Sequence, residues 1–300
     1  MKMMTLAIAF AILWLSAAAF AADKAGPDGK TEDKMDLLNN RLDIWDQSRK
    51  VTGHYTDQPF MSVHLAPKPN GMAVLICPGG GYLGVCDTYE GEELAPFFNG
   101  LGISAFVLRY RHAPKSYYPK PMEDASEAMA IIRARSKEWN VDPGKVGIMG
   151  FSAGGHLASV ISTQWQRPEF RTHTHYPDIS ARPDFSILVY PVIDLDRLTA
   201  YAVTGLNLLT DKATPEEIRE FCSQEKVTRD TPPAFLFTTG ADTDVPCENS
   251  IEYYRALRRC GVPAQLHIYD AGPHGVGFGA AYPQTAGWPL VLRDWLLALF

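Results

Sequence analysis

The sequence has little that would hold a polyanion. It contains no basic run, and 28 Lys and Arg against 34 Asp and Glu give a formal charge of −6. Nucleic acid and anionic membrane surfaces are therefore poor partners. Cysteine is also scarce: Cys77, Cys86, Cys222, Cys247 and Cys260 are the five in the chain. None forms a C-x-x-C, which removes the common signature of a zinc site or a dithiol redox centre. Only one long apolar run occurs, Leu6 to Leu15, and it is too short to span a bilayer. The glycine triplet Gly79-Gly80-Gly81 is not followed by G-K-[ST], so it lacks the lysine that a nucleotide-binding loop sends to phosphates. No spacing of acidic residues suggests the paired carboxylates of glycoside cleavage.

The apolar run has a function of its own. Lys2 precedes it and Ala19-Phe20-Ala21 follows, the arrangement of an export leader with its small-residue cleavage site. Cleavage after Ala21 is expected, with the mature protein outside the cytoplasm, in periplasm or medium. No cysteine lies just past that point to take a lipid. Residues 22–35 are polar and contain Gly26, Pro27 and Gly29, which predicts a mobile segment. Residues 36–300 suit one large domain. In an exported protein there is room for one or two disulfides, whose pairing the sequence leaves open, and an odd cysteine count leaves at least one free thiol. Cys77 ends an apolar strand and reads as a buried thiol.

Hydrophobic patterning alternates between short apolar strands and helical stretches. Strands are predicted at about 60–66, 72–77, 103–110, 145–149, 185–190, 235–239 and 264–269. Helices are predicted at about 92–99, 121–140 (long and amphipathic), 247–259 and 288–300. This rhythm predicts an α/β fold: a mostly parallel central sheet with helices on both faces. Residues 195–233 interrupt it, with a single helix expected near 215–225. That stretch reads as a small cap insertion.

The stretch Lys145 to His156 is the chemical centre. A short apolar strand runs into Gly150-Phe151-Ser152-Ala153-Gly154, the G-x-S-x-G of a nucleophile elbow. The turn is so tight that a side chain two positions before or after the serine would crowd backbone. The helix N-terminus that follows offers unpaired N–H groups where an oxyanion would form. The glycine triplet after the 72–77 strand frees further N–H groups to face a ligand. In such sheets, sites gather at the carboxyl ends of the strands.

An acid and a base are also placed at strand ends. Asp242 lies just past the 235–239 strand in a D-x-x-V-P setting. Asp244 is a second candidate, or a cap for the next helix, and Asp194 is a third. His274, in Gly272-Pro273-His274-Gly275, follows the last strand between turn formers that allow close approach. His156, just past the elbow, reads as a packing residue. His173 and His175 form an H-x-H pair without a third metal ligand in view.

Taken together the chain resembles the α/β-hydrolase esterases of the acetyl-xylan esterase and BD-FAE-like group. The resemblance covers about 59–300. It rests on Pro78-Gly79-Gly80-Gly81-Tyr82, Glu90-Gly91, Leu108-Arg109-Tyr110-Arg111, Gly150 through Ala158, Tyr190-Pro191-Val192 and Thr231-Pro232-Pro233. It continues through Asp242 to Pro246, Asn249-Ser250, and Leu266-His267-Ile268-Tyr269 leading to Gly272-Pro273-His274-Gly275. These enzymes carry their triad in the order Ser, acid, His. The resemblance implies Ser152 as nucleophile, His274 as base and Asp242 as its orienting acid. It implies an oxyanion hole from the N–H groups of Ala153 and of Gly80 or Gly81, with Pro78 where the family's HGGG-type loop has histidine. Tyr82, beside that loop, is either a contact for the acyl group or a sugar, or simply an aromatic of the core. The implied activity is removal of short acyl groups from plant polysaccharide such as xylan, without metal or cofactor. Three rivals remain: a short-chain esterase acting on other small esters, a prolyl-oligopeptidase-like peptidase, which has the same triad order but an added propeller domain, and a non-catalytic carbohydrate-binding protein on the same fold.

Overall fold

A computed structural model describes residues 40–47, 58–196, 202–279 and 281–300. The expected leader 1–21 and the segment 22–35 lie outside the described residues, as do 36–39 at the start of the expected domain. Eight strands form one sheet: β1 (Arg41–Asp43), β2 (Phe60–His64), β3 (Ala73–Cys77), β4 (Ser104–Arg109), β5 (Val146–Phe151), β6 (Ser186–Val189), β7 (Ala234–Thr239) and β8 (Ala264–Tyr269). Their spatial order is β1-β2-β4-β3-β5-β6-β7-β8. The β1–β2 and β2–β4 pairs are antiparallel and the rest are parallel.

The inner parallel strands are buried on both faces, so β3, β5 and β7 read as unbroken buried runs. Alternation inside each run decides which layer a residue joins. Ala73, Leu75 and Cys77 of β3, with Leu236 of β7, pack on one face. Val74 and Ile76, with Phe235 and Phe237, pack on the other. The first layer is closed by α2 (Lys120–Ala134), α3 (Ser152–Gln164) and α6 (Glu248–Arg259). The second is closed by α1 (Ala95–Gly100) and α7 (Trp288–Leu297). Arg41–Phe300 form one compact unit. Among the described residues no helix is long and apolar enough to cross a membrane.

Three expectations change. Helix α2 ends at Ala134, not near 140, and it is buried almost all round, with Glu123, Asp124 and Glu127 inside. Asp124 is tied to Arg111 and to the indole N–H of Trp45 at 2.8 Å, so a neutral stripe was not required to bury this face. All five cysteines are free thiols, not one or two disulfides. Finally, among its described residues the insertion carries two helices, α4 (Ala202–Leu209) and α5 (Pro215–Arg219), with a 3₁₀ turn at Ser223–Glu225. The helix expected to reach 225 stops early: the N–H groups of Phe221 and Cys222 turn to carbonyls three residues back, Ile218 O and Arg219 O, at 3.1 Å each, and the carbonyls of Glu220 and Phe221 are held by the Gln164 side chain at 3.1 Å and His156 at 2.8 Å.

The strand order reverses at β3, which lies between β4 and β5. The loops leaving the carboxyl ends of β3 and β5 therefore meet over one crevice. They are the glycine triplet and the serine elbow.

Candidate active site

Ser152 stands between β5 and α3 with φ +50°. Left-handed backbone costs a non-glycine residue about 1–3 kcal/mol, and here it lifts the hydroxyl off the sheet. The flanking glycines make this possible. A Cβ on Gly150 would lie 2.0 Å from Gly154 O, and one on Gly154 would lie 2.0 Å from Cys77 O. The preceding residue, Phe151, is extended, and α3 begins directly at Ser152. Amide N–H groups of its first turn thus face the crevice.

His274 joins the serine to Asp242. Its Nδ1–H donates to Asp242 Oδ2 at 2.7 Å, which leaves Nε2 as acceptor for the Ser152 hydroxyl at 2.8 Å. The other Asp242 oxygen, Oδ1, accepts the N–H groups of Asp244 at 2.9 Å and Val245 at 2.8 Å. The turn itself therefore aims the carboxylate. Of the acids considered, Asp242 meets the histidine. Asp244 supplies only its N–H to this turn and caps no helix, since α6 has no side-chain cap. Asp194 lies 3.5 Å from the Cys222 thiol and accepts the N–H of Asp196. Burial alone would lower the His274 pKa. The hydrogen bond and charge of Asp242, helped by Glu90 and Asp244, outweigh burial and hold it above the ordinary value.

The loop after β3 winds through left-handed backbone at Gly80, Gly81 and Tyr82, with φ +134°, +62° and +57°. Among the described residues no hydrogen bond takes the N–H of Gly80 or Gly81. The Gly79 N–H is used: it donates to Glu90 Oε2 at 2.8 Å. The Gly81 carbonyl accepts the side-chain amide of Asn207, on α4.

Tyr82 is not where a substrate contact would be. The winding of the loop turns its ring back into the core, 0 % exposed, against Tyr110 and His156. Its hydroxyl donates to His156 Nδ1 at 2.9 Å, and His156 Nε2–H donates to Phe221 O. His156 is buried and structural, and burial lowers its pKa to about 4. The exposed aromatic beside the crevice is Tyr89, 42 % accessible. A side chain at Gly277, on the loop of His274, would meet the Tyr89 ring at 3.3 Å. The H-x-H pair is apart from this crevice in chemistry: His175 Nδ1 pairs with buried Glu127 at 2.9 Å.

Sequence reading missed Glu90, Tyr190 and Asn207 as parts of this site. Glu90 and Tyr190 were visible only as pieces of a family pattern. Asn207 lies on a helix with no alternation to mark it.

The comparisons agree with this architecture. Residues 74–277 match the alpha/beta hydrolase fold family, and the chain belongs to it. It is 37% identical over 258 residues, 84% of this chain and 51% of the other, to an acetylxylan esterase of Xylanibacter ruminicola. It is 33% identical over 280 residues, 89% of this chain and 44% of the other, to endo-1,4-beta-xylanase B of Butyrivibrio fibrisolvens. The chain spans about half the length of the curated relatives it matches. Among solved structures it is similar to the acetyl ester-xyloside bifunctional hydrolase of Caldicellulosiruptor lactoaceticus, with 32% identity, a TM-score of 0.76, and coverage of 86% of this chain and 96% of that one.

Proposed function

We propose that this protein is a serine carboxylesterase that removes acetyl or other short acyl groups from a carbohydrate such as xylan. The observation that carries the reading is the unbroken relay from Asp242 through His274 to Ser152, set beside unused amide N–H groups. Ser152 Oγ attacks the acyl carbon while its proton passes to His274 Nε2. The N–H groups of Ala153 and of Gly80 or Gly81 take the tetrahedral oxyanion; one such donor is worth roughly 3 kcal/mol in comparable sites. Collapse expels the sugar hydroxyl, which takes the proton from His274. Water then attacks the acyl-enzyme with His274 as base, releasing the acid and restoring Ser152. Asp242 keeps Nδ1 protonated and stabilises the imidazolium.

The carbohydrate part of the reading is supported by the acetylxylan and xyloside relatives and by Tyr89, whose exposed ring offers a sugar an apolar face at the leaving-group side. Export is supported by the leader pattern ahead of Ala21.

The test is acetate release from acetylated xylan and from p-nitrophenyl acetate by wild type and Ser152→Ala. Activity on both substrates that disappears in the variant is expected. Activity on the small ester alone would remove xylan as substrate, and activity surviving Ser152→Ala would remove the serine mechanism.

A further inference from the structure

Glu90 is a carboxylate with no part in the relay, yet it is 2 % exposed and lies beneath the crevice. Burial pushes its pKa up, against hydrogen bonds from Tyr190 and Gly79, the charge of His274 and a further hydrogen bond from the Tyr89 hydroxyl, which pull it down. A buried carboxylate is costly unless its oxygens are engaged. Both are. Oε2 accepts the Gly79 N–H at 2.8 Å, and Oε1 accepts the Tyr190 hydroxyl at 2.8 Å.

Each partner belongs to a different part of the site. Gly79 is the residue before the glycines that would form the oxyanion hole. Its carbonyl is tied as well, accepting the Cys86 N–H at 2.9 Å. It is wedged in place: a Cβ there would lie 2.7 Å from Glu90 Oε2 and 3.0 Å from Ser152 Cβ. Tyr190 faces the base. Its hydroxyl accepts the Gly277 N–H at 3.0 Å, three residues past His274, and its ring stands 5.1 Å from the imidazole, edge to face. Tyr190 also carries φ +36°, a strained conformation that persists only where surroundings impose it. The strain turns the ring toward the base loop at the end of β6.

We propose that Glu90, acting through Tyr190, is a positioning residue that locks the oxyanion loop and the loop of His274 in one fixed relation. A tetrahedral oxyanion needs its donors placed at the same time as Ser152 and His274 are aligned. Three strands, β3, β5 and β8, deliver those groups on separate loops, and the sheet alone does not set the distance between loop tips. The chain Gly79 N–H to Glu90 to Tyr190 to Gly277 N–H does so with three hydrogen bonds and a buried centre. Neither side chain touches the substrate, so the lock acts on the rate of the chemical step and leaves substrate affinity alone.

This inference rests on the serine-esterase reading. Its test is steady-state kinetics on p-nitrophenyl acetate for Tyr190→Phe, Glu90→Gln and Glu90→Ala, beside wild type and Ser152→Ala, with thermal melting of each. Tyr190→Phe keeps the ring and removes only the hydroxyl link, so it carries the test even if Glu90→Ala does not fold. The expected result is a fall in kcat of about 10- to 100-fold in Tyr190→Phe with KM within about twofold. Glu90→Gln, which keeps an acceptor for Gly79 and a donor for the phenol, recovers part of the rate lost in Glu90→Ala. Folded Tyr190→Phe and Glu90→Gln with wild-type kcat, and only a lowered melting temperature, overturn the assignment and leave Glu90 a packing residue. Failure of the esterase reading looks different: it shows as wild-type activity that survives Ser152→Ala.

Discussion

Asn207 Nδ2–H donates to the carbonyl of Gly81 at 2.8 Å, so the insertion between β6 and β7 holds the outer end of the glycine loop that follows β3. Glu90 holds the inner end at Gly79. The glycines whose N–H groups would meet an oxyanion lie between these two anchors. Because α4 also accepts the Tyr118 N–H at Leu208 O, 2.8 Å away, the helix is itself fixed to the body. Asn207→Ala removes one partly buried neutral hydrogen bond, worth about 0.5–1.5 kcal/mol. Kinetics on p-nitrophenyl acetate are expected to show kcat reduced by about two- to tenfold, with little change in melting temperature. An unchanged kcat would detach the insertion from the oxyanion loop.

The acid of the relay is separable from its neighbour by substitution. Asp242→Asn leaves the shape but reverses the preferred imidazole tautomer, and a loss of about 10⁴-fold in kcat is expected from comparable sites. Asp244→Asn keeps its backbone N–H and stays within a few-fold of wild type. The pH profile follows from the raised His274 pKa. The base must be neutral, so kcat/KM falls on the acid side through a pKa above the ordinary 6.5. Removing the Asp242 charge moves that acid limb to lower pH. Stability has the opposite sense. The pairing of charged His274 with Asp242 contributes fully below the unfolded-state pKa and is lost as pH rises through the folded one.

Tyr82 and His156 make a stability prediction with no kinetic counterpart. Tyr82→Phe leaves buried His156 Nδ1 without its donor, at a cost of about 1–3 kcal/mol, read as a melting temperature lower by several degrees with KM unchanged. A raised KM would return Tyr82 to the substrate. His156 itself titrates at about 4 in the folded chain against an ordinary 6.5. Its neutral form is stabilised, so this contribution is complete above the unfolded value. It declines as pH falls from 6.5 toward 4, by on the order of 3 kcal/mol in all. Urea unfolding at pH 7 and pH 4.5 measures it, and a His156 substitution that still folds flattens the difference.

Tyr89 should separate carbohydrate from simple esters. Its exposed ring lies against Gly277 on the His274 loop. Tyr89→Ala is expected to raise KM for acetylated xylan by about tenfold, the loss of roughly 1–1.5 kcal/mol of ring contact, and to leave KM for p-nitrophenyl acetate nearly unchanged. Equal effects on both substrates would make Tyr89 a general support for the loop.

Much of the fold was readable because its signals are local. β3, β5 and β7 are short unbroken apolar runs separated by helical spacing, and a chain that buries strands on both faces has few alternatives to a parallel sheet. Ser152, His274 and Asp242 were nominated for the same kind of reason: each sits at a turn whose glycines or short polar residues are dictated by backbone geometry over five residues or so. β1 was not readable. Three residues long, it pairs antiparallel with β2 at the sheet edge, and so short a strand carries no periodicity. Helix α2 misled because its buried face is completed by acids, paired through residues as remote as Trp45 and Arg111.

What the chain determined by itself is which groups reach the carboxyl ends of the strands, since strand, turn and helix each follow from neighbouring residues. Which of those groups meet was decided only in three dimensions. The choice of Asp242 over Asp244 and Asp194 depends on where β7 and β8 place their loops. The inward turn of Tyr82 depends on three left-handed residues and on a histidine 74 positions away. The tie from Gly79 to Gly277 crosses Glu90 and Tyr190, 100 residues apart, because a buried carboxylate must find its donors wherever the packed fold supplies them.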